Sequence, residues 1–369
     1  MVALVSLLGI IKSLFFIIVG LCGIGFLIGF HELGHFLFCK LFGIRTPSFS
    51  IGMGPRLFSK KIWDTDFTLS LLPIGGYVEI AGAREVGQGD QKEADRADEQ
   101  SFGQKPYYQQ LLVLLGGIFF NLMFAYAAVS AVFYFGAPKM PLLYPRFATA
   151  TIEGVAEQSA AQLADLQVGD KIIAYNDTPI TENPVQFLKY IKENPGKPVE
   201  LNIERNGTQV TLPVTLGEQE IGDIKAGSLG VELAMPARSL VGALKVGFAA
   251  VNEWIFEILR SMAQLFTKRD FKQMGGPLMI VSMTIKSAQS GLAIFLLLLA
   301  FISVNLAVLN VFPLPIFDGG QVLFYTIEAI IGRPLPVKVR EYIHIACWIL
   351  LLILIVAMSI QDVWRMIFG

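Results

Sequence analysis

The motif His31-Glu32-Leu33-Gly34-His35 holds the residues of this chain that are best suited to chemistry. Two histidines four positions apart lie on the same face of a helix, so both imidazoles can bind one metal ion. A glutamate beside the first histidine can act as a general base toward water at that metal. The alternative is a pair of interfacial histidines beside a glutamate at the end of an apolar helix. The metal site is favoured, because an ionisable group at the edge of a span costs about 2.5 kcal/mol or more unless it is paired or ligated.

Two histidines leave a catalytic zinc ion one protein ligand short. His344 is the one other histidine, but a basic loop precedes it. Asp318 is the better candidate, because it ends an apolar run, follows two prolines that interrupt a helix and precedes two glycines that free the backbone. The alternative for Asp318 is a helix-terminating turn that leaves an aspartate at the membrane interface. We therefore expect Zn²⁺ bound by the two motif histidines and Asp318, with Glu32 as the catalytic base.

The composition places the chain in a membrane. Of its 369 residues, 54% are hydrophobic and 16% are charged, whereas soluble domains have about 45–50% apolar and about 25% charged residues. These values exclude a disordered chain, a fibrous repeat and an ordinary cytosolic enzyme. A net charge of −1 gives no basic field for nucleic acid, and three cysteines form no disulfide framework or cysteine-type zinc motif. The sequence predicts an integral protein of the lipid bilayer.

Four uncharged stretches are the candidates for transmembrane helices, since about 20 apolar residues cross a hydrocarbon core of about 30 Å. They are Leu14–Phe30, Leu111–Gly136, Gly291–Phe317 and the slightly short Ile345–Ile360. The segment Ser239–Phe266 carries four charged residues, which favour an amphipathic helix on the membrane or on the protein. The predicted fold class is a polytopic α-helical membrane protein with about four transmembrane helices.

Basic residues near the ends of the spans predict the orientation. They follow the first and third spans, so both of these loops are expected in the cytoplasm. The long region between the second and third spans then lies outside the cytoplasm, and the metal site lies toward the cytoplasmic leaflet. For a bacterium, this membrane is the inner (plasma) membrane.

The predicted organisation has four parts: residues 1–136 with two spans and a cytoplasmic loop, a small domain at 144–235, a helical segment at 239–289, and residues 291–369 with two spans. The small domain has the turn density of a mixed α+β fold. Val185–Glu193 is predicted as a helix, Val199–Glu204 as a strand, and Asn206-Gly207 as a hairpin turn into the next strand.

A second apolar feature lies in the first cytoplasmic loop. Leu69 and Leu71 belong to an alternating run in the stretch from Asp66 to Gly82, and Pro73–Gly76 predicts a turn into a second short strand, Tyr77–Ile80. A hairpin at membrane depth is permitted where it lines a cavity. We expect this re-entrant β-hairpin to pair with an extended substrate through its strand edge, with Leu69 and Leu71 as substrate-binding residues. The alternative is a structural hairpin that plugs the cytoplasmic side.

The two separated motifs resemble one known family. The first motif together with Asn310-x-x-Pro313-x-x-x-x-Asp318-Gly319 is similar to the site-2 protease family of intramembrane zinc metalloproteases. The order of spans, cytoplasmic loop and extracytoplasmic domain resembles the bacterial RseP type of that family. This resemblance implies that His31, His35 and Asp318 bind zinc, that Glu32 is catalytic, and that Asn310 helps to hold the substrate. The run from Ala160 to Ile172 resembles part of a PDZ domain, so a single extracytoplasmic PDZ-like domain is expected.

The function that follows from the resemblance is hydrolysis of peptide bonds within transmembrane segments. The expected substrates are single-span membrane proteins already trimmed on their outer side, such as an anti-sigma factor. One alternative is a protease that clears remnant signal peptides, and another is a catalytically inactive metal-binding membrane scaffold. A transporter is disfavoured, since neither inverted repeats nor a midplane site is evident.

Overall fold

The computed structural model describes residues 2–83, 91, 93–140, 143–180, 184–221, 224–268 and 275–368. It divides into two compact units, one formed by Met1–Val129 with Val251–Gly369 and the other by Ser130–Ala250. Its helices are α1 (Val2–Leu41), α2 (Tyr107–Phe135), α3 (Ala160–Leu163), α4 (Val185–Glu193), α5 (Leu240–Lys268), α6 (Pro277–Ser290), α7 (Leu292–Val311), α8 (Asp318–Ile331) and α9 (Val337–Phe368). Its strands are β1 (Ser48–Ile62), β2 (Thr65–Val78), β3 (Ile152–Val155), β4 (Lys171–Tyr175), β5 (Thr178–Pro179), β6 (Pro198–Arg205), β7 (Thr208–Thr215), β8 (Gly217–Ile221), β9 (Ile224–Ser228) and β10 (Val231–Leu233).

Within the described residues, four helices are long and apolar enough to cross a membrane. These are Ile11–Leu41, Tyr107–Phe135, Leu292–Val311 and Lys338–Arg365. They confirm the expectation of a polytopic, mostly helical membrane protein. The segment predicted as amphipathic forms α5, whose charged residues keep it out of this set of four. The predicted part 239–289 thus contains α5 and α6, and residues 269–274 between them lie outside the described residues.

The third span is shorter than the apolar run Gly291–Phe317, because α7 ends at Val311. Proline lacks a backbone N–H and cannot continue a helix, so Pro313 and Pro315 end the regular hydrogen bonding here. Helix α8 then begins at Asp318 itself. The two prolines therefore separate a spanning helix from a second helix whose first residue is the candidate ligand.

The strands of the first unit form a ribbon that differs from the predicted hairpin. The predicted reversal of the chain is present, because Thr68 and Tyr77 both pair with Ser50 and the segments 66–69 and 76–78 run in opposite directions along β1. These two arms of β2 do not pair with each other, as a simple hairpin would require. A second turn joins Ile62 to Thr65, so the strand that pairs with both arms, β1, precedes them in the chain. Phe49 of β1 pairs with Phe67 and also with Val78, so the start of β1 lies between the two ends of β2. A left-handed backbone at Gly75, with φ of 86°, accompanies this change of partner.

The second unit contains a four-stranded sheet in the order β5-β4-β6-β7, and α4 contributes side chains to the same buried core. Helix α4 confirms the helix predicted at Val185–Glu193, and Phe187 and Ile191 bury its apolar face. Asn206 and Gly207 both have positive φ, as the predicted tight turn requires. Two further antiparallel pairs, β3 with β10 and β8 with β9, have no counterpart in the sequence prediction.

Candidate metal centre

Helix α1 presents His31 and His35 on one face, one turn apart, near the end of the first span. Their Nε2 atoms lie 3.2 Å apart. Asp318 completes the group, with Oδ2 at 3.3 Å from His31 Nε2 and Oδ1 at 3.6 Å from His35 Nε2. Zinc–ligand bonds of about 2.0–2.2 Å in tetrahedral geometry separate two ligand atoms by roughly 3.3 Å. The three side chains therefore have the spacing that a zinc ion requires.

Asp318 has an unsatisfied oxygen, which is a second sign of a metal site. Its Oδ2 is buried and has no hydrogen-bond partner among the described residues. A buried carboxylate oxygen without a partner is costly, and a cation removes that cost. Gly319 and Gly320 follow it, and a Cβ at either position would overlap the backbone of Val311 or Leu314. These glycines therefore allow α8 to begin close against the preceding turn.

The remaining ring nitrogens of the histidines face partners on α2. His35 Nδ1 lies 2.8 Å from the carbonyl oxygen of Val113, so Nδ1–H donates there and leaves Nε2 free to bind metal. His31 Nδ1 lies 3.1 Å from the side-chain amide of Asn121, whose Oδ1 otherwise has no described partner. With the amide turned so that this oxygen replaces Nδ2 beside His31, the oxygen accepts a hydrogen bond from Nδ1–H, which again leaves Nε2 for the metal. Both histidines are thus oriented by the second span.

Close helix contact makes this arrangement possible. A Cβ at Gly34 would overlap the backbone of Gly116, so α1 and α2 approach each other at these positions. A Cβ at Gly117 would overlap both imidazole rings. Because Gly117 has no side chain, the imidazole rings of His31 and His35 have space against α2.

His31, His35 and Asp318 line a cavity of about 300 Å³. Glu32 and Asn310 both line it, as do Val78 at the end of β2 and Ile80 two residues beyond it. Leu69 and Leu71 are exposed and are not among the described residues of the cavity wall. The complete lining is Ile28, His31, Glu32, His35, Val78, Ile80, Leu114, Asn121, Leu306, Asn310, Pro315, Ile316, Phe317, Asp318, Gln321, His344 and Trp348.

His344, which the sequence left as an alternative ligand, lies in the wall of the same cavity but outside the metal-binding group. That group of three contains His31, His35 and Asp318, with ligand atoms within 4.8 Å of one another. Sequence reasoning assigned no role to Asn121 or to Gln321. The sequence did contain a signal for Asn121, because placing a side-chain amide in an apolar span costs free energy, and such polar residues are usually functional.

Two histidines and an aspartate around one point, with a glutamate at the same cavity in a bundle of apolar helices, define a membrane-embedded zinc metalloprotease. Comparison with known proteins gives the family. The model of peptidase family M50 matches residues 19–354, and the chain belongs to this family of site-2 proteases.

The relatives agree with this assignment. A Clostridium perfringens protein named as a zinc metalloprotease is 31% identical over 350 residues, which cover 94% of this chain and 98% of the relative. Zinc metalloprotease RasP of Geobacillus kaustophilus is 29% identical over 412 residues, covering 92% of this chain and 96% of the relative. A Helicobacter pylori protein named as a zinc metalloprotease is 30% identical over 338 residues, with coverages of 88% and 92%. The protein is a zinc-dependent metallopeptidase.

Proposed function

We propose that the protein hydrolyses peptide bonds within the transmembrane segments of single-span membrane proteins. One observation carries this proposal: two of the three candidate ligands lie in a spanning helix, and the third lies a short turn beyond another spanning helix. His31 and His35 lie inside the span Ile11–Leu41, and Asp318 follows the span Leu292–Val311 after a short turn. A peptide bond that reaches this group comes from a segment within the bilayer or at its edge.

The residues around the group divide the chemistry among them. Zinc, when bound by His31, His35 and Asp318, supplies Lewis-acid polarisation and lowers the pKa of water. Glu32 accepts the proton of the attacking water and passes it to the leaving amine. Asn310 lies in the cavity wall and is a donor for the oxygen of the scissile carbonyl.

The substrate must leave its helical conformation before it is cut, because a helix engages its carbonyl groups in its own hydrogen bonds. Val78 lines the cavity at the end of β2, which pairs with Phe49–Ile51. We assign to this end of the ribbon the pairing with an extended substrate, which replaces the hydrogen bonds that unwinding loses. Leu69 and Leu71, exposed elsewhere on β2, are proposed to contact the substrate before it enters the cavity.

The proposed location is the inner membrane of a bacterium, with the zinc site toward the cytoplasmic leaflet and the 144–235 domain outside. This domain is proposed to be PDZ-like and to exclude substrates that still carry a folded outer part. Its substrates would then be trimmed proteins such as an anti-sigma factor. A specific grip on a new C-terminus is the other role for such a domain.

The first experiment uses purified protein in liposomes with a single-span substrate whose outer part has been removed. Wild-type protein should cut within the span, and Glu32→Gln should bind the substrate without cutting it. Cleavage restricted to water-exposed segments would overturn the proposal. Trapping substrates on Glu32→Gln in native membranes, with identification by mass spectrometry, distinguishes trimmed regulators from remnant signal peptides.

The second experiment replaces residues 147–235 with a short flexible linker. If the domain excludes large substrates, the deletion should admit substrates with a folded outer part and leave cleavage of trimmed ones about as before. Loss of cleavage of trimmed substrates, with zinc content intact, would instead assign the domain to substrate delivery.

A further inference from the structure

His344 is a buried polar residue in the cavity wall that the proposed chemistry does not use. Its exposure is 7%, and it belongs to α9. Its Nε2 lies 3.1 Å from Nε2 of Gln321. Its Nδ1 is buried and has no hydrogen-bond partner among the described residues.

The orientation of the Gln321 amide is fixed by two other contacts. Its Nε2 donates to the carbonyl oxygen of Pro315 at 2.9 Å, and its Oε1 accepts from Arg340 at 3.2 Å. Exchanging the amide oxygen and nitrogen would place oxygen against oxygen at Pro315 and donor against donor at Arg340. Gln321 therefore presents an N–H, and not an oxygen, to His344.

This contact determines which nitrogen of His344 carries the proton. Since Gln321 donates, His344 Nε2 accepts, and in a neutral imidazole the proton then resides on Nδ1. Nδ1–H is thus a buried donor without a described acceptor, and leaving such a donor unpaired costs free energy. The missing partner must be an acceptor, which excludes a metal ion.

We propose that His344 is a substrate-binding residue whose Nδ1–H donates a hydrogen bond to a main-chain carbonyl oxygen of the peptide in the cavity. This proposal rests on the proposed function, in which an extended peptide occupies that cavity. An extended peptide offers carbonyl oxygens that its helical form has already engaged, so the contact selects the unwound state. Gln321 acts through His344 and is a positioning residue.

The substitutions His344→Gln and His344→Asn together test whether Nδ1–H is the hydrogen-bond donor. The amide nitrogen of Asn can replace Nδ1, whereas that of Gln replaces Nε2. In the Glu32→Gln background, binding of a labelled peptide of the substrate span should weaken about three- to tenfold in His344→Gln, as expected for one net hydrogen bond. His344→Asn should stay within about twofold of the parent. Cys347→Ala, on the same helix but outside the cavity wall, serves as the control.

Turnover and metal content separate this role from others. With Glu32 intact, His344→Gln should raise KM while kcat and zinc content stay unchanged. Equal binding in all variants would overturn the proposal, because Nδ1–H would then serve only water or no partner. Loss of zinc from His344→Gln would also overturn it and make His344 a ligand. Failure of the wild-type protein to cut within spans would refute the proposed function, and the binding comparison would still decide the role of His344.

The tautomer gives a readout that does not depend on the substrate. The chain has three histidines, so ¹⁵N-histidine labelling yields three ring pairs, of which two belong to the metal centre. The third pair should show protonated Nδ1 and unprotonated Nε2, and Gln321→Met should remove this preference. A protonated Nε2 in the unsubstituted protein would overturn the assignment.

Discussion

Two aspartates, one in each unit, serve opposite purposes. Asp170 of the second unit is 1% exposed, and both of its carboxylate oxygens accept hydrogen bonds from its own unit. Arg205 donates to both carboxylate oxygens at 2.8 Å, and the backbone N–H of Gln167 adds a third bond at 2.8 Å. Asp318 faces two imidazole nitrogens and keeps one buried oxygen without a hydrogen bond.

The difference shows how a structural carboxylate is distinguished from a functional one. A fold that buries a carboxylate for stability surrounds it with donors, as Arg205 and Gln167 surround Asp170. A buried carboxylate that binds a ligand keeps one oxygen without a partner from the protein, and the ligand then occupies that position. Asp318 has this property, which supports the proposal that it binds the zinc ion.

The largest expected difference is between the variant that lacks the Asp318 carboxylate and the variant that lacks the Asp170 carboxylate. Asp318→Ala should lose zinc and all proteolytic activity, because two histidines alone hold a catalytic zinc weakly. Asp170→Ala should keep zinc and activity on trimmed substrates, but lower the free energy of unfolding of its unit by about 2–3 kcal/mol. Zinc content by mass spectrometry of the purified protein and thermal unfolding measure the two effects. Normal zinc content in Asp318→Ala would contradict the ligand assignment.

The substitution Glu32→Gln tests whether Glu32 acts as the general base or as a metal ligand. Zinc should stay at the wild-type level, since Glu32 is outside the metal-binding group. Turnover should fall by about 10²–10⁴-fold, the usual contribution of a positioned general base. His31→Ala and His35→Ala are the matched variants and should lose zinc and activity together. Full proteolysis by Glu32→Gln would refute its assignment as the base.

Gly117→Ala should weaken the metal centre without changing any ligand. The added Cβ overlaps both imidazole rings, so the rings must move from their metal-binding positions. Zinc affinity should fall by about 10–100-fold, as it does when groups that orient ligands are altered. Gly103→Ala is the control, because a Cβ there meets only an ordinary contact at 3.7 Å. Equal zinc affinity in the two variants would show that the rings do not depend on Gly117.

Local patterns predicted what depends on neighbours in the chain. The spacing of His31 and His35, the apolar spans and the helix Val185–Glu193 all follow from helical period and composition. The partner of His31 could not be predicted, because Asn121 lies 90 positions away and the contact depends on how α1 and α2 cross. The strand pairing within the β-ribbon could not be predicted for a related reason.

In that ribbon, turn-forming residues at Pro73–Gly76 suggested a hairpin turn. The chain does reverse between residues 69 and 76, but β1 lies between the two arms, and a further turn that the sequence did not predict joins Ile62 to Thr65. Strand pairing is decided by which distant segment completes the backbone hydrogen bonds, and spacing within one segment does not contain that information.

The smallest expected effect is the pH dependence of the second unit. Arg205 lowers the pKa of the Asp170 carboxyl below its ordinary value, with a contribution from the N–H of Gln167. The folded pKa therefore lies below the unfolded value of about 3.9. The stabilisation is fully present above that unfolded value and is lost as the pH falls through the folded pKa.

Hydrogen exchange of the full chain, corrected for intrinsic rates and followed in peptides from β4 and β6, measures this loss. Protection should decline between about pH 5 and pH 3 in the wild-type protein. Asp170→Asn cannot titrate, so its protection should be lower at pH 7 and nearly flat over this range. Asp177→Asn, at an exposed turn of the same unit, should retain the wild-type decline. If Asp170→Asn declined as steeply as the wild type, the pH dependence would come from other carboxylates, and the Asp170–Arg205 pair would stabilise the unit only by its packing.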